Sequence, residues 1–195
     1  MHPSVESQIA LLESMVKHLE DYLDEDKVFK TITYYPPEGE HLAKLTIGAL
    51  LELLDDLSRR DDLTPEQRQK VAELAKQVET IRSYRRADWL RKIARELKAY
   101  TDSWRWYLQS VEDGNRQAAR DYPNEVRTRL RIQRLLDEAG DAEEIKDLKG
   151  RVVALDRLLR SFWQRGDFVL PNEDPERYQP PERYWWLYGH PRVVE

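Results

Sequence analysis

The sequence predicts an all-α protein, a bundle of five or six helices followed by an extended C-terminal arm. Helix formers such as Leu, Glu, Arg and Ala are common in the 195 residues, whereas glycine occurs only 7 times. Apolar residues recur at spacings of three and four along most of the chain, as they do on one face of a helix. Residues 167–195 instead contain five prolines, which exclude a regular helix from that segment.

The first two helices follow from different apolar patterns. Residues 40–60 are apolar over roughly 240° of a helical circumference, so we expect a second helix at the centre of the bundle. The narrower seam of the first helix, over residues 4–25, has the alternating spacings of a coiled coil and consists of Val5, Ile9, Leu12, Val16, Leu19 and Leu23. Between them, residues 28–35 are rich in β-branched and aromatic side chains, which predict a short strand or an extended connection. Residues 168–170 are the best candidate partner for such a strand.

A third helix is predicted to begin at Pro65. Thr64 and Gln67 have the spacing of a capping box, and proline suits the first helical position. The apolar stripe changes phase near residues 83–88, which fits either a break or a shift within one helix. We favour one long element over residues 65–112, continuous or kinked.

The remaining helices are marked by proline and glycine. A helix over residues 115–139 is expected to be interrupted or begun afresh at Pro123. Asp141 opens a second capping-box pattern for a helix over residues 142–165, which Gly166 ends. This last helix has the same kind of seam as the first, so the two can pair with each other or with copies of themselves in a dimer.

The C-terminal arm is expected to be ordered. Eight of the 19 aromatic residues lie in residues 162–195, whereas disordered tails are poor in aromatics. We therefore divide the chain into a helical bundle domain, 1–166, and an arm, 167–195, which packs on the bundle or on a neighbouring subunit, with its own subunit favoured. The arm residues predicted to make these contacts are aromatic: Tyr178, Tyr184, Trp185, Trp186 and Tyr188.

Charge is sorted into three blocks along the chain, although the net charge is only -5. Residues 1–81 carry 9 Lys/Arg and 17 Asp/Glu, residues 82–134 carry 14 and 7, and residues 135–195 carry 9 and 13. The chain is therefore acidic, basic and acidic in turn. Such asymmetry concerns what the surface attracts, and not the fold.

Helical spacing places most of the basic block on outward faces of the middle helices, with Lys92 among them. The predicted binding face comprises Arg91, Arg95, Lys98, Arg105, Trp106, Arg116, Arg120, Arg127, Arg131 and Arg134. Arginine forms bidentate contacts with carboxylates and phosphates, so this face fits a protein or a nucleic-acid backbone. The favoured alternative is neutralisation within the fold, because an acidic protein lacks the basic footprint of most nucleic-acid binders.

Trp106 stands on the polar side of its helix. An exposed tryptophan is either covered by another part of the chain or binds something. We favour cover by the C-terminal arm. The alternative is a partner interface, or a platform on which bases stack beside arginines.

The sequence offers little for catalysis. It contains no cysteine, its four histidines are scattered, and it lacks a Gly-rich phosphate loop, a Gly-x-Ser-x-Gly elbow and a His-Glu-x-x-His motif. Asp55-Asp56 and Asp61-Asp62 can in principle bind Mg²⁺, but they are typical of the solvated end of a helix and the turn after it. We predict no catalytic, cofactor or metal site.

These observations favour a non-catalytic helical interaction or assembly module that presents an arginine-rich face and an aromatic arm to a protein partner, including a second copy of itself. A nucleic-acid-associated helical subunit comes second, and an enzyme with a carboxylate-bound metal third. Without cysteines, a signal-peptide pattern or an apolar run of about 20 residues, we expect a cytoplasmic protein without a membrane span.

Overall fold

The structure, a computed structural model, describes residues 3–193 and confirms the all-α class, with 67% of the chain in helix and two small hairpins added. No helix in the described range is both long and apolar enough to cross a membrane. The α-helices of residues 3–193 are α1 (Val5–Asp24), α2 (Ile47–Arg59), α3 (Pro65–Tyr84), α4 (Arg86–Glu112), α5 (Arg116–Arg120), α6 (Tyr122–Ala139) and α7 (Lys146–Ser161).

The chain divides into two compact units, one ending at Glu96 and the other beginning at Leu97. α4 crosses the boundary between them, and we describe each unit by itself. The division predicted from the sequence, into a bundle of residues 1–166 and an arm of residues 167–195, concerns another boundary and stays a prediction.

The helices of the first unit begin at side-chain caps. The Ser4 hydroxyl accepts a hydrogen bond from the Ser7 amide at 3.1 Å, which starts α1 where the sequence predicts. The capping box before α3 is confirmed: the Thr64 hydroxyl accepts from the Gln67 amide at 3.1 Å, and the Gln67 side chain accepts from the Thr64 amide at 2.9 Å.

A hairpin joins α1 to α2. Strand β1 (Lys30–Tyr34) pairs antiparallel with β2 (His41–Leu45), so that Lys30 lies opposite Leu45 and Tyr34 opposite His41. The predicted strand is confirmed, but its predicted partner, residues 168–170, is wrong. A neighbouring segment closes a hairpin at a smaller entropic cost than a distant one.

The second helix is consequently shorter than predicted, because it begins at Ile47 and not near residue 40. The Thr46 hydroxyl accepts from the Ala49 amide at 2.9 Å and caps the helix there. Residues 41–45 are extended, and leucines at these positions fit the period of a strand as well as that of a helix.

The predicted long element over residues 65–112 is two helices that meet at Arg85. This residue leaves helical geometry, with φ -109° and ψ 40°, although its amide donates to the Ile81 carbonyl and its own carbonyl accepts from the Trp89 amide. The Arg85 guanidinium donates to Asp24 and Asp88 at 2.5 and 2.8 Å. The junction lies in the segment where the apolar stripe changes phase, and these carboxylates hold its side chain.

A buried carboxylate organises the core of the first unit. Glu96 on α4 is 1% exposed and accepts from the Ile47 amide at 2.7 Å, from the Gly48 amide at 3.0 Å and from the Tyr22 hydroxyl at 2.8 Å. The two amides are the first of α2, where unpaired N–H groups and the helix dipole favour a negative charge. One side chain of α4 therefore fixes the start of α2 and the end of α1.

Lys92, one turn before Glu96, corrects the prediction of an outward position, since it is only 2% exposed. Its ammonium donates to the carbonyls of Glu25 and Lys27 at 2.5 and 2.7 Å and lies 4.2 Å from the centre of the Tyr22 ring. Burial lowers the pKa of Lys92, an effect that the nearby Glu96 charge opposes. The ammonium satisfies carbonyl groups that follow the end of α1.

In the second unit Pro123 lies in the first turn of α6, after the break that the sequence predicts. The predicted last helix needs correction at both ends. α7 ends at Ser161, well before Gly166, because Trp163–Phe168 forms strand β3, which pairs antiparallel with β4 (Tyr188–Pro191). No side-chain cap forms before α7, since Asp141 instead accepts from the Lys149 ammonium at 3.1 Å.

Glu96→Gln is expected to lower the free energy of unfolding by roughly 2–3 kcal/mol. The glutamine side chain replaces one acceptor oxygen with an NH2 donor, which then faces one of the two backbone N–H groups at the start of α2. Tyr22→Phe is the matched control. It removes one donor and leaves both amides paired, so it should cost about 1 kcal/mol. Urea denaturation followed by circular dichroism measures both, and equal costs for the two variants would contradict the capping role of Glu96.

Candidate interaction surfaces

The C-terminal arm packs on its own unit. Tyr178 and Trp186 are buried, and the other three predicted arm residues, Tyr184, Trp185 and Tyr188, are half-buried. The Tyr178 ring lies 5.9 Å from the Phe168 ring, and the Trp185 ring lies edge-on to the Trp163 ring at 5.3 Å. These contacts lie within one subunit, and the choice between docking on the protein's own subunit, which the sequence favours, and docking on a neighbouring one stays a prediction.

Trp186 lies at the centre of this packing. Its ring lies 4.8 Å from the Arg129 guanidinium, which forms two hydrogen bonds of 2.9 Å with the Asp156 carboxylate on α7. The Tyr122 hydroxyl donates to the Trp186 carbonyl, and burial raises the pKa of Tyr122, which keeps this hydroxyl a donor. α6, α7 and the arm therefore meet around one tryptophan.

The three arginines of the predicted binding face on α6, Arg127, Arg131 and Arg134, form contacts within the second unit. The Arg127 guanidinium donates to the Glu173 carboxylate of the arm at 3.1 Å, and the Arg131 guanidinium donates to the Tyr100 hydroxyl at 3.3 Å and faces its ring. Arg134 also has a partner among the described residues. Part of the basic block therefore attaches the arm.

Glu173 is the acidic partner of Arg127. The Tyr178 hydroxyl donates to it at 2.6 Å, and Arg177 adds an ion pair at 3.7 Å. Burial alone would raise the pKa of Glu173, but the hydrogen bonds from Tyr178 and Arg127 outweigh it and the pKa is lowered. Sequence analysis missed Glu173. The sequence offers little signal for it, because Glu173 is one of three acidic residues in the five positions before Tyr178.

The basic residues of α4 in the first unit also have acidic partners. Arg91 pairs with Asp88 one turn earlier, and Arg95 pairs with Asp26, which follows α1. These pairs lie at the surface, where one ion pair contributes about 0–1 kcal/mol. They neutralise charge locally and leave both guanidinium groups partly exposed.

In the second unit Trp106 is 63% exposed, so the arm does not cover it, and the favoured prediction of cover is wrong. The arm packs instead on Tyr122 and Trp163, around the β3–β4 hairpin. The Arg105 guanidinium lies 5.3 Å from the centre of the Trp106 ring, and Lys98 pairs with Asp102 at 2.9 Å.

Two serines and two larger polar side chains lie beside Trp106 on its helix. Residues three or four positions apart share one helical face, which places Asp102, Ser103, Gln109 and Ser110 beside Trp106. We call these five residues, with Arg105 at their edge, the Trp106 face.

Arg116 and Arg120, the last of the predicted binding residues, are exposed on the short helix α5. Within residues 3–193 neither of them forms an ion pair with a carboxylate. α5 and α6 are separate helices, so these two arginines do not continue the row of Arg127, Arg131 and Arg134 as one surface.

In the first unit, one aspartate of each predicted pair binds an arginine. Arg59 donates to Asp55 at 3.0 Å, and Arg60 binds Asp62 with two hydrogen bonds of 2.8 and 2.6 Å. In the described part of the chain, no group of three or more His, Asp or Glu residues is placed to hold a metal ion.

The chain was compared with family models, with curated proteins and with solved structures, and none of the three comparisons found a match. Its function is therefore inferred from its own residues.

Gly189→Ala is expected to destabilise the protein by about 2 kcal/mol or more, through strain and overpacking in the β3–β4 hairpin. Gly189 has φ +149°, and a Cβ atom there would lie 2.8 Å from the Trp163 ring. Gly150→Ala is the control. It fills open space inside α7 and should stabilise the protein by about 1 kcal/mol. Thermal denaturation of both variants checks this, and a harmless Gly189→Ala would contradict the packing of the arm.

Glu173→Gln is expected to cost more stability at pH 7 than at pH 3. A carboxyl group whose pKa is lowered by folding stabilises the folded state above its unfolded pKa, and this contribution is lost as pH falls through the folded pKa. The measurement is the difference in unfolding free energy between wild type and variant at the two pH values. A pH-independent difference would show that the carboxylate does not hold the arm through its charge.

Proposed function

We propose that this protein is a non-catalytic interaction or assembly module, and that the Trp106 face of its second unit binds a protein partner. The observation that carries the proposal is the exposure of Trp106 beside Arg105. Trp and Arg are the residues most enriched among those that dominate binding energies at protein interfaces. Ser103 and Ser110 beside the ring support the proposal, because side chains of this size allow a partner surface to approach this part of the helix closely.

The pairing of the other arginines supports a protein partner over a nucleic acid. Arg127 binds an acidic side chain of the arm, and Arg95 binds one after α1, so fewer guanidinium groups are left for phosphates. The arm is also packed on its own unit, so we assign the binding to the helix face and not to the arm aromatics. The proposal keeps the cytoplasmic setting expected from the sequence.

Trp106→Ser is expected to abolish capture of the partner, with at least a tenfold loss of recovery, as is typical for a central interface tryptophan. The tagged full-length chain is expressed in its source cells and purified with its bound proteins. Tyr84→Ser is the matched control, since Tyr84 is another strongly exposed aromatic residue, on α3. Both variants should keep the wild-type melting temperature, because neither side chain is buried.

The same proteins recovered with wild type and with Trp106→Ser would overturn the proposed role of this face. A recovered partner is then purified and titrated against the chain directly. Nucleic acid is tested separately: binding that falls steeply between about 50 and 200 mM salt would favour a nucleic-acid-associated subunit instead.

A further inference from the structure

The β1–β2 hairpin of the first unit has one exposed apolar residue, Leu42, on its outer face, and exposed aromatic residues directly before and after β1. Side chains alternate along a strand, and Ile32 and Leu45 point into the core, where they are almost fully buried. On the opposite face Leu42 is 70% exposed, and at the two ends of β1 Tyr35 is equally exposed and Phe29 is partly exposed. An exposed leucine is unusual on a solvated strand, where the outward positions are normally polar.

The same hairpin has a free edge. Its sheet contains only β1 and β2 within residues 3–193, so the second edge of β2 has N–H and C=O groups without a strand partner. The side chains of Glu40, His41, Leu42 and Lys44 are all exposed, so this edge is open. Natural proteins usually cover an open edge or load it with charge, because it is a template for another strand.

We propose that β2 pairs antiparallel with β2 of a second copy of this chain, about a two-fold axis at Leu42, to form a four-stranded sheet. The inference rests on the proposed function, because it names a second copy as one partner of an assembly module. It does not use the Trp106 face.

The sequence of β2 is complementary to itself in this register. Leu42 lies opposite Leu42 of the partner subunit, and Glu40, the residue directly before β2, lies opposite Lys44 of the partner subunit once the strand extends by one residue. Opposite charges and paired apolar side chains across neighbouring strands stabilise a sheet. By the two-fold symmetry each charge pair occurs twice, so one strand supplies both halves of the interface.

Neighbouring registers lack this complementarity. An axis at Lys44 would place two lysines opposite each other, and an axis at Glu40 would do the same with two glutamates, which is destabilising. An axis at Ala43 would place Leu42 opposite Lys44. Only the axis at Leu42 places an apolar side chain opposite an apolar one and an acidic side chain opposite a basic one. This self-complementarity favours a second copy of the chain as the partner, rather than an unrelated strand.

The first experiment measures the dimer dissociation constant of the full chain by sedimentation equilibrium. Leu42→Glu places two carboxylates on the axis and should leave the chain monomeric, whereas Val153→Glu, at another exposed apolar position, on α7, should not. Glu40→Lys and Lys44→Glu should each raise the dissociation constant about tenfold, because each creates two like-charge pairs. The double variant that exchanges the two charges should restore dimerisation.

The second experiment introduces a single cysteine, which is informative because the sequence contains none of its own. Residues facing each other across an antiparallel pair have Cα atoms about 4.5–5.5 Å apart, within the range of a disulfide. Leu42→Cys should therefore oxidise to a disulfide-linked dimer, whereas Val153→Cys should form no disulfide link under the same conditions.

A wild-type protein that is monomeric at all concentrations would overturn this inference, and the capture experiment alone would then decide the proposed function. A dimer that persists in Leu42→Glu would also overturn the pairing through β2. A dimer that survives Leu42→Glu but is lost in Trp106→Ser would assign self-association to the Trp106 face, and would thereby support the proposed function while rejecting pairing through β2.

Discussion

The first unit depends on one buried charge, the carboxylate of Glu96. A carboxylate removed from water must be hydrogen-bonded, and the donors that it finds are the first amides of α2 and the hydroxyl of Tyr22. α4 therefore determines where α2 begins and where α1 ends. Lys92, one turn away, binds carbonyls of the segment that leads into β1. The position of the β1–β2 hairpin thus follows from two ionisable side chains of one helix.

Charge in the second unit serves the attachment of the arm. Arg129 is held by Asp156 and lies against the Trp186 ring, while Arg127 reaches Glu173. A guanidinium suits this role, because its planar fork pairs with a carboxylate while its face packs on an aromatic ring. Part of the basic middle block is therefore architecture in this unit, whereas Arg105, Arg116 and Arg120 remain at the surface.

Local chemistry made parts of the fold predictable, and longer-range pairing did not. Thr64 and Pro123 mark helix starts through their own backbone and hydroxyl chemistry, which no distant contact overrides. Leu42 was assigned to a helix, because in five residues strand and helix periods cannot be distinguished. Glu96 was missed, since nothing in a single sequence separates a buried acid on an apolar stripe from an exposed one. The exposure of Trp106 likewise depended on where the arm packs.

The two hairpins described in this chain are stabilised by packing in different ways. A two-stranded hairpin is marginal alone and needs packing on at least one face. β3–β4 obtains it from aromatic contacts on its own unit, among them Trp163 with Trp185 and Phe168 with Tyr188. β1–β2 obtains it from Ile32 and Leu45 on one face only, and Leu42 remains in water on the other. An apolar outer position beside an open edge gains nothing within the unit, which is why we connect it with binding.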